Sequence, residues 1–341
     1  MLACGFADGV GVNVSGGKRM HVDMKNAKMQ IVGIGACVMD TLITVPSYPK
    51  EDTKLRALSC KTAGGGPTAT GIVAASKLGA KTGFIGVLAE DNGGHFLRDD
   101  FEKYGVNVDL VELKGGYRSF TSTIWLAQDK ASRTCVFDKG NLPPLTLDEE
   151  KRAAIADAEI LMIDGNEMDA AEEACLVANN SDTKVLYDCG GLYEGVERLL
   201  KHTDVMIPSE EFSLGHTGCI TVDEAARKLY ETYHPRVVVI TCGKEGGILY
   251  AGGDILKYPA FLVEAVDSNG SGDVFHGAFA AAMVKGFSYE DCCIFASAVS
   301  AIKCTGVGAR ESVPEEDEVY RFLASRGYTD FADRAGAGGN Q

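Results

Sequence analysis

Short β-branched apolar runs alternate along the chain with stretches whose apolar positions recur every three or four residues. The first run, residues 29–38 (MQIVGIGACV), is apolar almost throughout and ends near Asp40, which predicts a strand buried on both faces. Residues 41–59 alternate irregularly and carry Pro46 and Pro49, the pattern of an exposed strand pair rather than of core. Small and apolar residues at helical spacing predict a helix over 69–78, with Gly79 as its C-cap, and a second, amphipathic helix over 94–104 is stopped by Gly105. Between them, 82–87 (TGFIGV) predicts a buried strand. Residues 119–126 and 133–137 flank a polar turn at 128–132 and predict a hairpin. After Pro143-Pro144 the alternation becomes regular, with strands at 160–164, 185–188, 205–207 and 237–241, and a helix over 221–233 with Thr221 as N-cap. Repeated strand–helix units imply right-handed crossovers and a parallel sheet covered on both faces, the α/β class.

Composition narrows the function classes. The 341 residues carry 33 Lys+Arg against 48 Asp+Glu, a net charge of −15, with no basic run to compensate. That balance removes the electrostatic attraction on which nucleic-acid and anionic-membrane binding depend. No stretch approaches the roughly 18 apolar residues of a membrane span, and residues 1–28 lack the apolar centre of a secretory signal, so a cytoplasmic location is expected. Residues 1–28 are expected to be a loose extension, with Met29 an alternative start, and 330–341 a flexible tail. The 11 cysteines contain no CxxC spacing and read mostly as reduced core residues.

Glycine is enriched, 41 of 341 residues or roughly 12 % against a usual level of about 7 %. The glycines cluster where apolar runs end, at the sheet edge that binds ligands in α/β proteins. The most informative segment is 266–285 (VDSNGSGDVFHGAFAAAMVK), in which Gly270, Ser271 and Gly272 precede Asp273 at the start of a helix. Backbone amides converging there, with the positive end of the helix dipole, make a cradle for a phosphoryl group. Asp273 in the first turn would stay ionised, with its pKa lowered by the helix terminus, and would orient a hydroxyl and accept its proton as the O–P bond forms. The plainer possibility is a helix cap beside packing glycines. A second segment, 63–80 (AGGGPTATGIVAASKLGA), places Gly64, Gly65, Gly66 and Pro67 before a helix bearing Thr68 and Thr70, so that a polyhydroxyl ligand can approach the backbone. Lys54, Arg133 and Lys139 are cations near the hairpins that would suit an acidic substituent, or else solvated surface charges.

Together the two segments resemble the signatures of the PfkB/ribokinase family of carbohydrate kinases, in the family's order and about 200 residues apart. Further matches are IGACVMD, VLAEDNGGHFLRDDFEKYGVNVD and ITCGKEGGILY, and the resemblance spans roughly residues 30–328. It implies a ribokinase-like three-layer α/β sandwich over 29–329, with a central mostly parallel sheet and a small β lid built from about 41–62 and 116–138. It further implies ATP-dependent transfer of the γ-phosphoryl group to a sugar hydroxyl. By that resemblance Asp273 is the catalytic base and Gly270, Ser271 and Gly272 the anion hole. Asp40, Gly64, Gly65, Gly66 and Thr70 face the sugar, with Arg133 from the lid, and Thr241, Gly243, Gly246 and Asn269 contact the nucleotide. Magnesium accompanies ATP, many members respond to a monovalent cation such as K+ near the Asp267 loop, and lid pairing implies a homodimer.

Three departures stand out. Thr70 occupies a position that is often asparagine in the family. The N-x-x-E segment that organises magnesium reads Ser209-Glu210-Glu211-Phe212, leaving Glu210, Glu211 and Asp267 as candidate metal groups. The ending CTGVGARESVP resembles ketohexokinase and sulfofructose-kinase relatives, which favours a ketose. Rival readings are a ribokinase, a nucleoside or vitamin kinase of the same family, and a catalytically silent sugar-binding protein on the same fold. A dinucleotide oxidoreductase is disfavoured, because Gly33-Ile34-Gly35 lacks the third glycine and Pro46 and Pro49 interrupt the required helix. No P-loop string occurs.

Overall fold

The chain, analysed as a computed structural model, is described over residues 28–130 and 132–334. Of the expected loose ends, 1–27 and 335–341 lie outside the described residues. The strands are β1 (Ile31–Ile34), β2 (Val38–Val45), β3 (Ser59–Gly65), β4 (Thr82–Phe84), β5 (Gly86–Ala89), β6 (Val111–Lys114), β7 (Thr121–Ala127), β8 (Ser132–Asp138), β9 (Ile160–Ile163), β10 (Lys184–Cys189), β11 (Val205–Pro208), β12 (Val237–Thr241), β13 (Gly247–Ala251) and β14 (Asp254–Tyr258). The helices are α1 (Pro67–Lys77), α2 (Asn92–Lys103), α3 (Glu149–Asp157), α4 (Met168–Asn179), α5 (Glu197–Leu200), α6 (Glu210–Thr217), α7 (Val222–Tyr233), α8 (Ser271–Val284), α9 (Tyr289–Cys304) and α10 (Glu316–Ser325).

Eight strands form the central sheet in the order β14-β13-β12-β11-β10-β9-β1-β4. The six from β12 to β4 run parallel, and β13 and β14 close one edge as an antiparallel hairpin. Helices cover both faces, as strands apolar on both sides require. Ile72, Val73, Phe279 and Phe295 pack in one core beneath α1, α8 and α9, and Ile155, Ala174 and Leu229 in the other beneath α3, α4 and α7. The fold runs past the expected boundary at 329, because Phe331 is buried against Phe287 and Phe295.

Two predicted single strands are each divided. The run at 29–38 leaves the central sheet after Ile34, and Val38–Val45 joins a separate four-stranded sheet, β3-β2-β7-β8. The run at 82–87 breaks at Ile85, after which β5 pairs with β6. Apolar periodicity reports burial on both sides of such breaks and carries no mark of a change of sheet. The four-stranded sheet is the expected lid, in which β7 and β8 form the predicted hairpin and β2 runs parallel to β7. Helices α1 and α8 cross in backbone contact at Gly71 and Gly277, where a Cβ on Gly277 would fall on the Gly71 carbonyl. That approach brings the two predicted glycine-rich segments to one edge of the sheet.

Candidate active site

Gly270 turns the irregular segment after β14 into α8 with φ of 74°, a left-handed conformation that favours glycine, and a Cβ there would lie 2.5 Å from Ala309 Cβ. Gly272 is exposed, with nothing within 4 Å of the place a Cβ would take, and the Ser271 amide donates to the Ser268 carbonyl at 3.2 Å, which leaves the amides of Gly272 and Asp273 as the anion donors of this terminus. Asp273 lies in this first turn, as predicted. Its carboxyl group is pushed above the ordinary carboxylate range, chiefly by burial and further by the Asp164 carboxylate, while His276, Arg133 and Lys303 oppose the rise. The sequence led to the opposite expectation. Desolvation beside a second carboxylate outweighs the stabilisation that a helix terminus gives a solvated one.

Asp40 stands on β2, buried, and its Oδ1 accepts a 2.5 Å hydrogen bond from the Ser122 hydroxyl on β7. Burial raises its pKa, and the charge of Asp273 adds to that rise, so the two predicted carboxylates share one electrostatic site. Gly65 leaves room for it, since a Cβ there would collide with the Asp40 carboxylate. Gly64 leaves room for Arg310 in the same way. Arg310, 1 % exposed, donates to Asp100 Oδ2 on α2 and to the Gly65 carbonyl, each at 2.7 Å, and so anchors the glycine strand. Gly66 precedes α1. Thr70 is fully buried in α1, and its hydroxyl has no hydrogen-bond partner within the protein.

Sequence reasoning missed Asp164, Asp188, His276, Lys303 and Arg310. Asp164 follows β9 and ties three segments together, its Oδ2 accepting from the amides of Ala36 (2.9 Å) and Thr68 (3.1 Å) and its Oδ1 from that of Asn166 (2.9 Å). Lys303 is fully buried and donates to the Asp267 carbonyl at 2.7 Å, beneath the loop before α8. Asp164 and Asp188 each end an apolar run at the carboxyl edge of the sheet, a signal present in the sequence.

A cavity of about 350 Å³ lies on one side of the α8 terminus and brings Thr241, Gly243 and Gly246 together with Ser271 and Gly272. Phe275, Ala301 and Cys304 give it an apolar wall. A second cleft of about 580 Å³ separates the lid from the Asp267 loop and is lined by Thr44, Leu126 and Arg133 on one side and Asp267, Ser268 and Asn269 on the other. Asn269 therefore faces the lid cleft rather than the first cavity. Arg133 is exposed on β8, yet its charge reaches Asp273. Asp40, Gly64, Gly65, Gly66 and Thr70 line neither space. A smaller cavity of about 190 Å³ holds Lys139 opposite Glu167, and Lys54 is exposed on the segment between β2 and β3.

The three candidate metal groups are not brought together. Both Asp267 oxygens accept backbone amides, from Asn269 at 2.8 Å and Gly308 at 2.9 Å. Glu210 and Glu211 are exposed on the first turn of α6, whose N-cap Ser209 bridges to Thr241. Among the described residues no group of three or more His, Cys, Asp or Glu side chains could hold a metal. This donor set suits magnesium, which keeps several waters and takes one or two carboxylates alongside phosphate oxygens. Of the three candidate groups, Glu210 directly follows Ser209, whose bridge to Thr241 brings the start of α6 beside the first cavity.

The sequence profile of the pfkB family carbohydrate kinases matches residues 28–316. The chain is 27 % identical over 293 residues to the ribokinase of Bacillus subtilis, covering 85 % of this chain and 98 % of that one. It is 25 % identical over 327 residues to a 5-dehydro-2-deoxygluconokinase of Clostridium botulinum, covering 89 % and 95 %. The ribokinase of Arabidopsis thaliana, solved with ribose and ATP, superposes with a TM-score of 0.78 at 24 % identity, covering 87 % and 99 %. An E. coli protein assigned as a ribokinase II, solved with ATP and Mg2+, superposes at 0.76 and 20 %, covering 87 % and 99 %. These relatives share with the chain a ribokinase-like fold, and none of the four is named as a ketohexokinase. With the matched profile spanning most of the polypeptide and the GSGD helix terminus between two clefts, the chain belongs to the pfkB family of carbohydrate kinases.

Proposed function

We propose that the protein transfers the γ-phosphoryl group of ATP to a hydroxyl of a small sugar, with Asp273 accepting the hydroxyl proton. The carrying observation is the N-terminus of α8, whose Ser271 and Gly272 line the cavity of Thr241, Gly243 and Gly246, whose preceding residues 267–269 line the lid cleft, and whose first turn holds Asp273 within the electrostatic reach of Arg133. The nucleotide fits the first cavity, with its adenine against the apolar wall and its phosphates toward Ser271 and Gly272. The amides of the α8 terminus meet the charge that develops on the transferring group. Glu210 would be the residue to hold magnesium alongside the nucleotide, and the ion would supply neutralisation of phosphate charge. Lid closure excludes the water that would otherwise be phosphorylated and would bring the buried Asp40 of the lid strand β2, which lines neither cleft as the lid stands, to orient the acceptor sugar.

The acceptor class we favour is a keto sugar or keto sugar acid. The CTGVGARESVP ending supports the ketone, as does the name of the Clostridium relative. The Arg133 guanidinium facing the cleft supports an acidic substituent. The observation favouring a neutral aldose instead is the match to the Bacillus ribokinase over 98 % of that protein's length. Release of ADP from Mg·ATP, followed across ribose, fructose, 5-dehydro-2-deoxygluconate, a sulfonated ketose and nucleosides, tests both readings. Selective turnover of a keto compound supports ours, ribose preference replaces it, and silence across the panel with ATP still bound returns the silent-binder reading.

A monovalent cation near the Asp267 loop is unnecessary in this reading, because the Lys303 ammonium already lies against that loop. Exchange of K+ for tetramethylammonium should leave turnover unchanged, and a large loss would reinstate the cation. We further propose a homodimer formed through the lid, whose strand β8 presents Val136 and Phe137 at 68 % and 61 % exposure.

A further inference from the structure

His276 lies one turn beyond Asp273 on α8 and is 5 % exposed. Its Nδ1 is 2.6 Å from the Gly272 carbonyl oxygen and 3.2 Å from Asp188 Oδ2, and its Nε2 is 2.9 Å from the Ile207 carbonyl oxygen. Both carbonyls can only accept. A neutral imidazole carries one N–H. With the proton on Nε2, the Nδ1 lone pair would point at the Gly272 oxygen, and protonating Asp188 would not relieve that contact. With the proton on Nδ1, the Nε2 lone pair would point at the Ile207 oxygen. Two buried lone pairs set against each other at such distances are costly. An imidazolium donates on both sides and favours the ionised form of the buried Asp188, whose carboxyl group burial pushes up to about 7, as its counter-charge.

We infer that His276 is a positioning residue for the transfer, held as a buried imidazolium between Asp188 and the backbone of Gly272 and Ile207. Its hydrogen bonds fix the turn that carries Gly272 and Asp273 to the carboxyl end of β11. Its positive charge favours the ionised, proton-accepting form of Asp273. The other charges facing Asp273 are Asp164 after β9, Asp40 on β2, Arg133 on β8 and Lys303 on α9, and Asp188 on β10 faces Asp273 and Asp164 as well as the imidazole. Without His276, three buried carboxylates, Asp164, Asp188 and Asp40, would press on Asp273 with Arg133 and Lys303 to offset them. The kinetic half of this inference rests on the proposed role of Asp273, whereas the protonation half does not.

Nitrogen-15 labelling of histidine in the full chain reads the ring protons directly. We expect one histidine protonated on both ring nitrogens at neutral pH, with slowly exchanging N–H signals, and absent from His276→Asn. A neutral tautomer for that residue overturns the inference. Slow exchange identifies the buried ring in the unaltered protein should the variant not fold. His276→Asn keeps a donor toward Gly272 and removes the charge. With the sugar that is turned over, kcat should fall by about tenfold or more while both KM values hold. The acid limb of kcat should move upward by roughly half to one pH unit. An acid limb that stays in place, with kcat and KM changed together, would reduce His276 to a structural residue. Absence of turnover with every sugar would remove the kinase reading and leave the imidazolium result standing on its own.

Discussion

Asp273 is under two opposing influences, since the work of accepting a proton requires the ionised form and burial disfavours it. Because its pKa is raised, turnover should fall on acidification at a pH above the ordinary carboxylate range, as the proton-accepting form is lost. A kcat–pH profile checks this, and a profile flat down to about pH 4 would exclude Asp273 as the titrating acceptor. Arg310 belongs to the same scale but acts on stability. It is buried against Asp100 and the Gly65 carbonyl, with Phe101 beneath the guanidinium at 5.1 Å. Arg310→Met should therefore cost about 3–5 kcal/mol, because Asp100 is left as an uncompensated charge. Denaturant unfolding measures that loss, and a cost near zero would mean that the Asp100 carboxylate finds water.

At the level of elements, two devices set the site. The first is the crossing of α1 and α8 at Gly71 and Gly277. Gly277→Val should push the helices apart, costing about 1–3 kcal/mol in thermal or denaturant unfolding, with weakened nucleotide binding. The second is Asp91, the N-cap of α2, whose carboxylate also accepts from the backbone and hydroxyl of Ser119 ahead of β7. Burial alone would raise its pKa, but the bonds from Ser119 and Gly94 outweigh burial and lower it. A lowered folded-state value means that its contribution is present above the ordinary aspartate range and is lost as pH falls through the lowered value. Asp91→Ala should cost about 1 kcal/mol at neutral pH and flatten the acid side of the stability curve. An unchanged curve would mean that Asp91 contributes nothing specific.

Elements whose signals are local were legible in the sequence. Thr221 and Glu224 form a reciprocal capping box at the start of α7, and the hairpin of β7 and β8 turns where its polar residues predicted. Breaks between sheets were not legible, because residues 35–37 and Ile85 interrupt runs that remain apolar on either side. At the site, GSGD was readable because its chemistry lies in consecutive residues. Asp164, Asp188 and Arg310 come from distant segments, and their convergence is a property of the fold. His276 was hidden within an alanine-rich helix whose buried face gave no sign of a charged ring.

On the scale of the whole molecule, the central sheet fixes the GSGD terminus while the lid carries Arg133 over it on an exposed hairpin. A second copy pairing with the lid would bury Val136 and Phe137. Light scattering coupled to size exclusion should give the mass of two chains at micromolar concentration, and Val136→Asp should give that of one. A monomer in the unaltered protein would remove the dimer.

The most direct test of phosphoryl transfer is ADP release from Mg·ATP with the best acceptor sugar, comparing the unaltered chain with Asp273→Asn. The account predicts a loss of about 10²–10⁴ in kcat with both KM values little changed, since the acceptor function goes and the shape stays. Turnover surviving in the variant, or a loss shared equally by binding and kcat, would contradict it.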